Sequence, residues 1–358
     1  MSNLKVNSIN DASGGSNAVL YGVAAPTNSM GFRNRIINGD MRIDQRNAGA
    51  SVTPSATAAF QFTVDRFAYN QSAASKFSFQ QNAGSVTPPV GYSNYLGFTS
   101  QSAYSVSSGD YFYAVQRIEG NNCGDFAWGT ANAATVTLSF WVRSSLTGTF
   151  GGTLTNSAAN RYYIFSYVIN AANTWEQKTI TIAGDTSGTW LSNNGTGIEV
   201  RWGLGSGSTF TGTAGSWSGT TYLQPTGSVN VVGTNGATFY ITGVQLEAGS
   251  VASPFERRDY GRELMMCQRY YWRTDPSVTS QYLSSYTYAG TGDYYVPLTF
   301  PVWMRASPTV TPVLGSDVSG VNSVTAGTVT PNHVRLTFNR TAGAGYYSLN
   351  SFAASAEL

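Results

Sequence analysis

The stretch from Phe239 to Trp272 changes its apolar period midway, and that change divides the chain. Residues 239–246 alternate and close on apolar side chains, which predicts a sheet strand. Glu247, Ala248 and Gly249 stop it, and Pro254, Phe255 and Glu256 read as an extended connector. After Asp259, a candidate N-cap, Tyr260, Leu264, Cys267 and Tyr271 recur at steps of four, three and four, the seam spacing of a packed helix. On this reading residues 31–256 form a large β domain, 257–272 a helical connector and 273–358 a smaller β domain. Residues 1–30 become an N-terminal anchor or stalk.

The rest of the chain fits that division. Only 11% of its 358 residues are charged, while 39 are Gly, 22 Tyr, 18 Phe and 8 Trp. Roughly 25% charge is ordinary for a globular protein. Short strands joined by Gly, Asn and Ser turns produce such a balance. Strand patterns occur at 62–69, 76–80, 94–99, 111–118, 135–143, 162–169, 176–182, 198–204 and 229–232. The sharpest, 135–143, sets Val136, Leu138, Phe140 and Val142 on one face. Turns separate these stretches and no helices alternate with them, so the expected fold is all-β, a two-sheet sandwich or jelly roll. The small domain repeats the pattern at 294–300, 309–314, 328–330, 333–338 and 345–349. Near the N-terminus, Leu4, Val6 and Ile9 precede a Gly-rich turn, and Ala18, Leu20 and Val23 follow it. A hairpin of that size is marginal alone and calls for an assembly to dock on.

Charge excludes some partners. The net charge is +2, and Asp40 and Asp44 sit among Arg33, Arg35, Arg42 and Arg46, so a nucleic-acid-binding stripe is missing. No run approaches about 18 apolar residues, and the first residues lack the apolar core of a secretory signal. Synthesis in the cytoplasm without membrane insertion is expected. Cys123 and Cys267 fall in different predicted segments and read as free buried thiols rather than a disulfide framework.

Several phrases together carry a family resemblance. RIINGDMRIDQRN at 35–47, TVDRF at 63–67, GDTSGTW at 184–190 and above all FYITGVQLEAG, PFERRDYGREL and CQRYY between 239 and 271 resemble bacteriophage and prophage tail-fibre-like virion proteins. FPVWMRASPTVT at 300–311 and the ending SAEL look similar to tails of the same group. The resemblance spans nearly the whole chain. It implies a jelly roll similar to carbohydrate-binding modules, in which a first strand near NGD lies against a last one near VQLE. It further implies a homotrimer made in the host cytoplasm and displayed on the particle exterior. Such a protein attaches to other virion proteins through its N-terminus and to host-surface glycans. An architectural reading competes with it: a head-decoration, cement or shaft protein without sugar affinity.

The chemistry-bearing residues are few. The sole histidine, His333, lies in a predicted strand, and no GxSxG elbow accompanies it, so a Ser-His-Asp device is not expected. One His and two distant Cys cannot build a His/Cys metal site. A depolymerase would need two facing carboxylates. Asp65, Asp110, Glu119, Asp125, Glu176, Asp185, Glu199 and Glu247 are available, but sequence does not pair them, and the expectation is no enzyme and no required cofactor. Asn38, Asp40 and Glu247 are candidate oxygen ligands of a structural calcium. Against this stand an Asx-turn at Asp40 and an arginine partner for Glu247. Trp190, Trp217, Tyr222, Tyr282, Tyr286, Tyr288 and Tyr294 lie in or beside predicted loops and are the glycan-binding candidates, with simple packing as the competing role. The seam of Tyr260, Leu264, Cys267 and Tyr271 is assigned to a threefold axis, the alternative being the sheet of its own chain.

Overall fold

The computed structural model describes residues 32–274, 292–315, 318–340 and 347–358, with the backbone of two antiparallel dipeptides, Val19–Leu20 and Val23–Ala24. The long strands of the large domain are β1 (Phe67–Gln71), β2 (Phe77–Gln81), β3 (Leu96–Ser100), β4 (Tyr111–Glu119) and β5 (Val136–Ser144). They continue as β6 (Gly148–Thr155), β7 (Tyr162–Ile169), β8 (Glu176–Ile182), β9 (Thr196–Ser206) and β10 (Thr238–Ala248). One sheet runs β7-β6-β9-β4-β1 and is lengthened at its edges by the short strands Trp217–Ser218 and Gln61–Phe62; the other runs β8-β5-β10-β3-β2. All these pairings are antiparallel. The fold is an all-β jelly-roll sandwich.

Alternation explains the core. Phe67, Tyr69, Phe112, Ile198, Val200 and Trp202 point inward from the first sheet and meet Phe77, Phe98, Leu138, Phe140 and Val142 of the second. Tyr69 meets Phe98 at 5.6 Å, and Phe140 meets Trp202 at 6.0 Å. Burying each such ring stabilises by about 1.5–3 kcal/mol. The segment before β1 runs along the last strand, with Arg35 N–H donating to Leu246 O and Val244 N–H to Gly39 O, both at 2.9 Å.

Three strand expectations of the large domain change. β6 was not anticipated, because Gly151 and Gly152 remove its apolar signature. A Cβ at Gly152 would stand 1.9 Å from the Arg201 carbonyl oxygen, so closeness to β9 requires the glycine. The pattern at 62–69 is broken by a turn in which Arg66 takes φ of 71°. The pattern at 229–232 yields a short 3-10 turn, Val231–Gly233, rather than a strand.

The helix α1 (Tyr260–Gln268) starts where Asp259 accepts the Arg262 N–H at 2.9 Å. The middle of the seam faces its own chain, while Tyr260 at its start is 56% exposed. Cys267 is fully buried with Ile37, Ile43 and Tyr270, and Leu264 packs on the same cluster. Tyr271 is not in the helix at all but opens β11 (Tyr271–Arg273). An axial placement of Cys267 is therefore corrected: its side chain has no surface left to offer another copy.

The small domain continues with β12 (Tyr294–Thr299), β13 (Thr309–Leu314), β14 (Val321–Val329), β15 (His333–Arg340) and β16 (Leu349–Ser355). Two three-stranded sheets, β11-β16-β13 and β12-β15-β14, enclose Val334, Leu336, Phe338, Leu349 and Phe352. Ion pairs fasten this domain to the jelly roll. Glu119 receives Arg269 at 2.6 and 3.0 Å and the Tyr270 hydroxyl at 2.7 Å. Glu357 pairs with Arg46 at 3.0 Å and with Arg66. Arg305 donates to the carbonyls of Asn194, Ala356 and Glu357 at 2.8, 2.8 and 3.0 Å.

Candidate functional site

The predicted aromatic candidates do not form one platform. Trp190 and Trp217 pack edge to face with Trp128 at 4.8 and 5.3 Å, and with each other at 5.4 Å. Their indole N–H groups donate to Ser187 O at 3.1 Å and Ala183 O at 2.8 Å, so both rings and donors are committed to the sandwich edge. Tyr222 lies over Gly212, where a Cβ would come within 2.7 Å of its ring. Tyr294 packs on Tyr347 at 5.4 Å. Tyr282, Tyr286 and Tyr288 lie outside the described residues.

The calcium candidates are separated by their partners. Asn38 spends its side chain on Ile43 and the Asp65 carbonyl, at 2.8 to 3.0 Å. Asp40 pairs with Arg42 at 3.2 Å. Glu247 takes Gln245 Nε2 and Ser253 N–H, each at 2.8 Å, and the Ser253 hydroxyl at 2.5 Å, rather than an arginine. Among the described residues no group of three or more His, Cys, Asp or Glu is placed to hold a metal ion. His333 in β15 contacts Thr330 Oγ1 at 2.8 Å and Asn332 Oδ1 at 3.0 Å. Both thiols are free and buried, and burial pushes Cys123 up to about 12.

A different surface gathers recognition chemistry: the outer face of the β7-β6-β9-β4-β1 sheet. Where one set of alternating residues fills the core, the other set points away from it. In β4 these are Tyr111, Tyr113, Val115 and Arg117, and in β9 they are Glu199, Arg201 and Gly203. Register places Asn70 opposite Tyr113, Tyr113 opposite Gly203 and, after a bulge, Ser206 opposite Tyr111. The segment 207–226 roofs this face. Gln224 descends onto Gly203, where a Cβ would lie 2.5 Å from its Oε1, and Pro225 onto Gly151. Leu223 joins Ala68, Tyr113 and Val115 in a small apolar cluster flanked by Phe60, Phe62 and Phe210. Tyr111 meets Tyr113 at 5.8 Å and Phe210 edge-on at 5.7 Å.

Three acceptors under that roof have no partner: Asn70 Oδ1, Ser206 Oγ and Gln224 Oε1. Their residues are 5%, 4% and 1% exposed. An unpartnered buried acceptor costs about 1–3 kcal/mol, so three on one face mark a place where ligand or water completes the bonding. Next to them Glu199 is shared by Arg117 at 2.9 Å and Arg201 at 2.6 Å. Burial opposes the Arg201 charge, but Glu199 outweighs it and holds the guanidinium above its ordinary pKa. Glu199 is thus a committed ion-pair partner rather than a free acid or base. The face is nearly closed: a cavity of about 10 Å³ lies between Phe60, Phe62, Val115 and Arg117, room for one water. The pattern at 111–118 marks a strand without marking which face is which; its alternate set, with two tyrosines and an arginine, is the signal that points to this surface.

No protein-family model and no curated relative matches the chain. Among solved structures, similarity is found to the enzymatically active domain of bacteriophage CBA120 tailspike protein 4, at 10% identity and a TM-score of 0.33, over 60% of this chain and 21% of that one. A second is TmCBM61 in complex with β-1,4-galactotriose, at 10% identity and a TM-score of 0.30, over 61% and 99%. A third is the family 11 carbohydrate-binding module from Clostridium thermocellum in complex with a mixed-linked tetrasaccharide, at 10% identity and a TM-score of 0.28, over 52% and 91%. At these scores the likenesses carry no weight for function, and the assignment of the fold rests on strand order and register.

Proposed function

We propose that this protein is a non-enzymatic structural component of a bacteriophage particle, a fibre- or spike-like adhesin whose jelly roll attaches to host-surface glycans. The observation that carries the glycan reading is the roofed outer face, where Tyr111, Tyr113 and Phe210 stand beside the unpartnered acceptors of Asn70, Ser206 and Gln224. Aromatic faces stack on sugar C–H groups while amide and hydroxyl oxygens accept from sugar hydroxyls. The ion pairs at Glu119 and Glu357 support a rigid load-carrying body. The virion setting and the trimer rest on the sequence resemblance, since Leu264 and Cys267 of the helix seam pack within one chain. Engagement requires segment 207–226 to lift, as Tyr113 is only 5% exposed.

That closure also favours the second reading, an architectural decoration, cement or shaft protein without sugar affinity. Titration of the purified full chain against bacterial surface polysaccharides, with its solution mass measured alongside, separates the two. Saturable binding that weakens about tenfold or more in Tyr111→Ala supports the adhesin. Retention of no polysaccharide overturns it in favour of the architectural protein, and a monomer removes the trimer.

A further inference from the structure

The outer face of the β8-β5-β10-β3-β2 sheet carries aromatic rings and charge that the proposed function does not use. In β5, Val136, Leu138, Phe140 and Val142 fill the core, so Trp141 and Arg143 point away from it. Register sets Gln177 and Thr242 on either side of Trp141, and Tyr240 beside Arg143. The Trp141 indole N–H donates to the Tyr92 hydroxyl. That hydroxyl rests on the bulge of β10, where Gly243 has φ of 61° and a Cβ would lie 2.7 Å from it. Tyr92 meets Phe255 edge-on at 5.5 Å, and the Arg257 guanidinium lies over the Tyr92 ring at 4.8 Å. Two residues along β5 from Trp141, about 7 Å, the Arg143 guanidinium lies 5.5 Å from the Tyr240 ring. Tyr240 meets Tyr95 at 5.1 Å, and Tyr95 meets Trp175 at 5.5 Å.

The charge on this face is unbalanced. Among the described residues neither Arg143 nor Arg257 is ion-paired. Arg143 spends only its Nε, on the Asn173 carbonyl at 3.0 Å, and Arg257 is exposed. The acids around them are committed: Glu176 to Lys178 at 2.6 Å, Asp40 to Arg42 at 3.2 Å and Glu256 to Arg258 at 3.3 Å. Trp141, Tyr92 and Trp175 are half-buried, and Gln177 and Thr179 on the same face are exposed. The face therefore offers rings, neutral hydrogen-bonding groups and two guanidiniums without counter-charges. A single-stranded nucleic acid carries a phosphate at every nucleotide and needs a continuous basic track, which two arginines do not make. A neutral sugar makes no use of the guanidiniums. A glycan that carries carboxylates at intervals uses the whole set, stacking its C–H faces on the rings and pairing its acids with the arginines.

We infer that this face, with Trp141, Tyr92, Arg143 and Arg257 at its centre, binds an acidic glycan whose sugars carry carboxylates. The inference rests on the glycan reading above and gives it a charge class, on the sheet opposite the roofed face. Both arginine contacts are charge-assisted and lie near solvent, so the affinity should fall as salt rises.

The test titrates the wild-type full chain, Arg257→Gln, Arg257→Lys, Arg143→Gln and Tyr111→Ala against immobilised bacterial surface polysaccharides, both uronate-containing and neutral. The uronate polymers are also presented after carboxyl reduction, and polyglutamate and oligothymidylate serve as polyanion controls. Arg257 is exposed, so its variants should melt with the wild type. Binding that falls about tenfold or more both on carboxyl reduction and in Arg257→Gln, and is partly kept in Arg257→Lys, supports the site. Equal affinity for native and reduced polymers overturns it and leaves the proposed function standing, as does unchanged binding in Arg257→Gln and Arg143→Gln with a loss in Tyr111→Ala. Polyglutamate or oligothymidylate held as tightly as the uronate polymers assigns the face to another polyanion and overturns the sugar site. Absence of binding by the wild type to every polysaccharide overturns both readings.

Discussion

Replacing Glu119 by alanine should loosen the small domain from the jelly roll. The carboxylate is 1% exposed and accepts from Arg269 Nε and Nη2, from the Tyr270 hydroxyl and from Asn121 Nδ2. Burial pushes its pKa up, but the hydrogen bonds from Arg269 and Tyr270 and the Arg269 charge outweigh that and hold it below the usual glutamate value. In Glu119→Ala the Tyr270 hydroxyl, on a fully buried residue, loses its acceptor at a cost of about 1–3 kcal/mol. The Arg269 side chain is 35% exposed, so water screens its loss to about 1 kcal/mol. The expected destabilisation is about 3 kcal/mol, and Glu119→Gln, which keeps one acceptor, should cost about half. Denaturant unfolding measures the difference, and hydrogen exchange at the Ala356 N–H, bonded to Tyr270 O at 2.7 Å, should speed up in parallel. A Glu119→Ala protein within about 0.5 kcal/mol of wild type, with unchanged exchange at Ala356, would refute the reasoning.

Asp65 should give stability a second pH dependence. Burial raises its pKa from 3.8 to about 7 against the Arg46 charge and the Gln45 hydrogen bonds. A raised acid stabilises fully below the unfolded value and loses that contribution as pH climbs to about 7, so wild type should weaken by about 4 kcal/mol between pH 4 and pH 7, of which about 3 kcal/mol falls above pH 5. Asp65→Asn should flatten this change in denaturation midpoints; an equal slope in both proteins contradicts it. Glu119 acts oppositely, its contribution disappearing as pH falls below the ordinary glutamate range. Trp128, 6% exposed between two other tryptophans, should cost about 3–5 kcal/mol on truncation to alanine, read from the melting transition. Gly203→Ala should push Gln224 off the sheet and expose segment 207–226 to limited proteolysis, whereas an unchanged cleavage pattern would mean the roof does not rest on that glycine.

Much of the sandwich was legible because burying one sheet face enforces alternation, as at Val136, Leu138, Phe140 and Val142. β6 was not, because its glycines serve backbone proximity and leave no apolar pattern. The helix was legible in its start at Asp259 and in its period. Its partner was not, since a seam of Leu264 and Cys267 looks the same whether it meets another copy or Ile37 and Ile43 of its own chain. The loop tryptophans misled for a related reason: Trp190 and Trp217 are distant in sequence from Trp128, and only the closed sandwich edge brings them together. Trp303, 68% exposed, sits inside an apolar phrase where nothing local distinguishes its outward ring from Met304 beside it, 2% exposed.

Asn70→Leu puts the glycan reading to a decisive trial, because the same substitution should move stability and binding in opposite senses. It removes an unpartnered buried acceptor, so the melting temperature should hold or rise while polysaccharide affinity falls about tenfold. Affinity equal to wild type, or a protein that loses stability and affinity together, would contradict a ligand-completed face and leave Asn70 a packing residue.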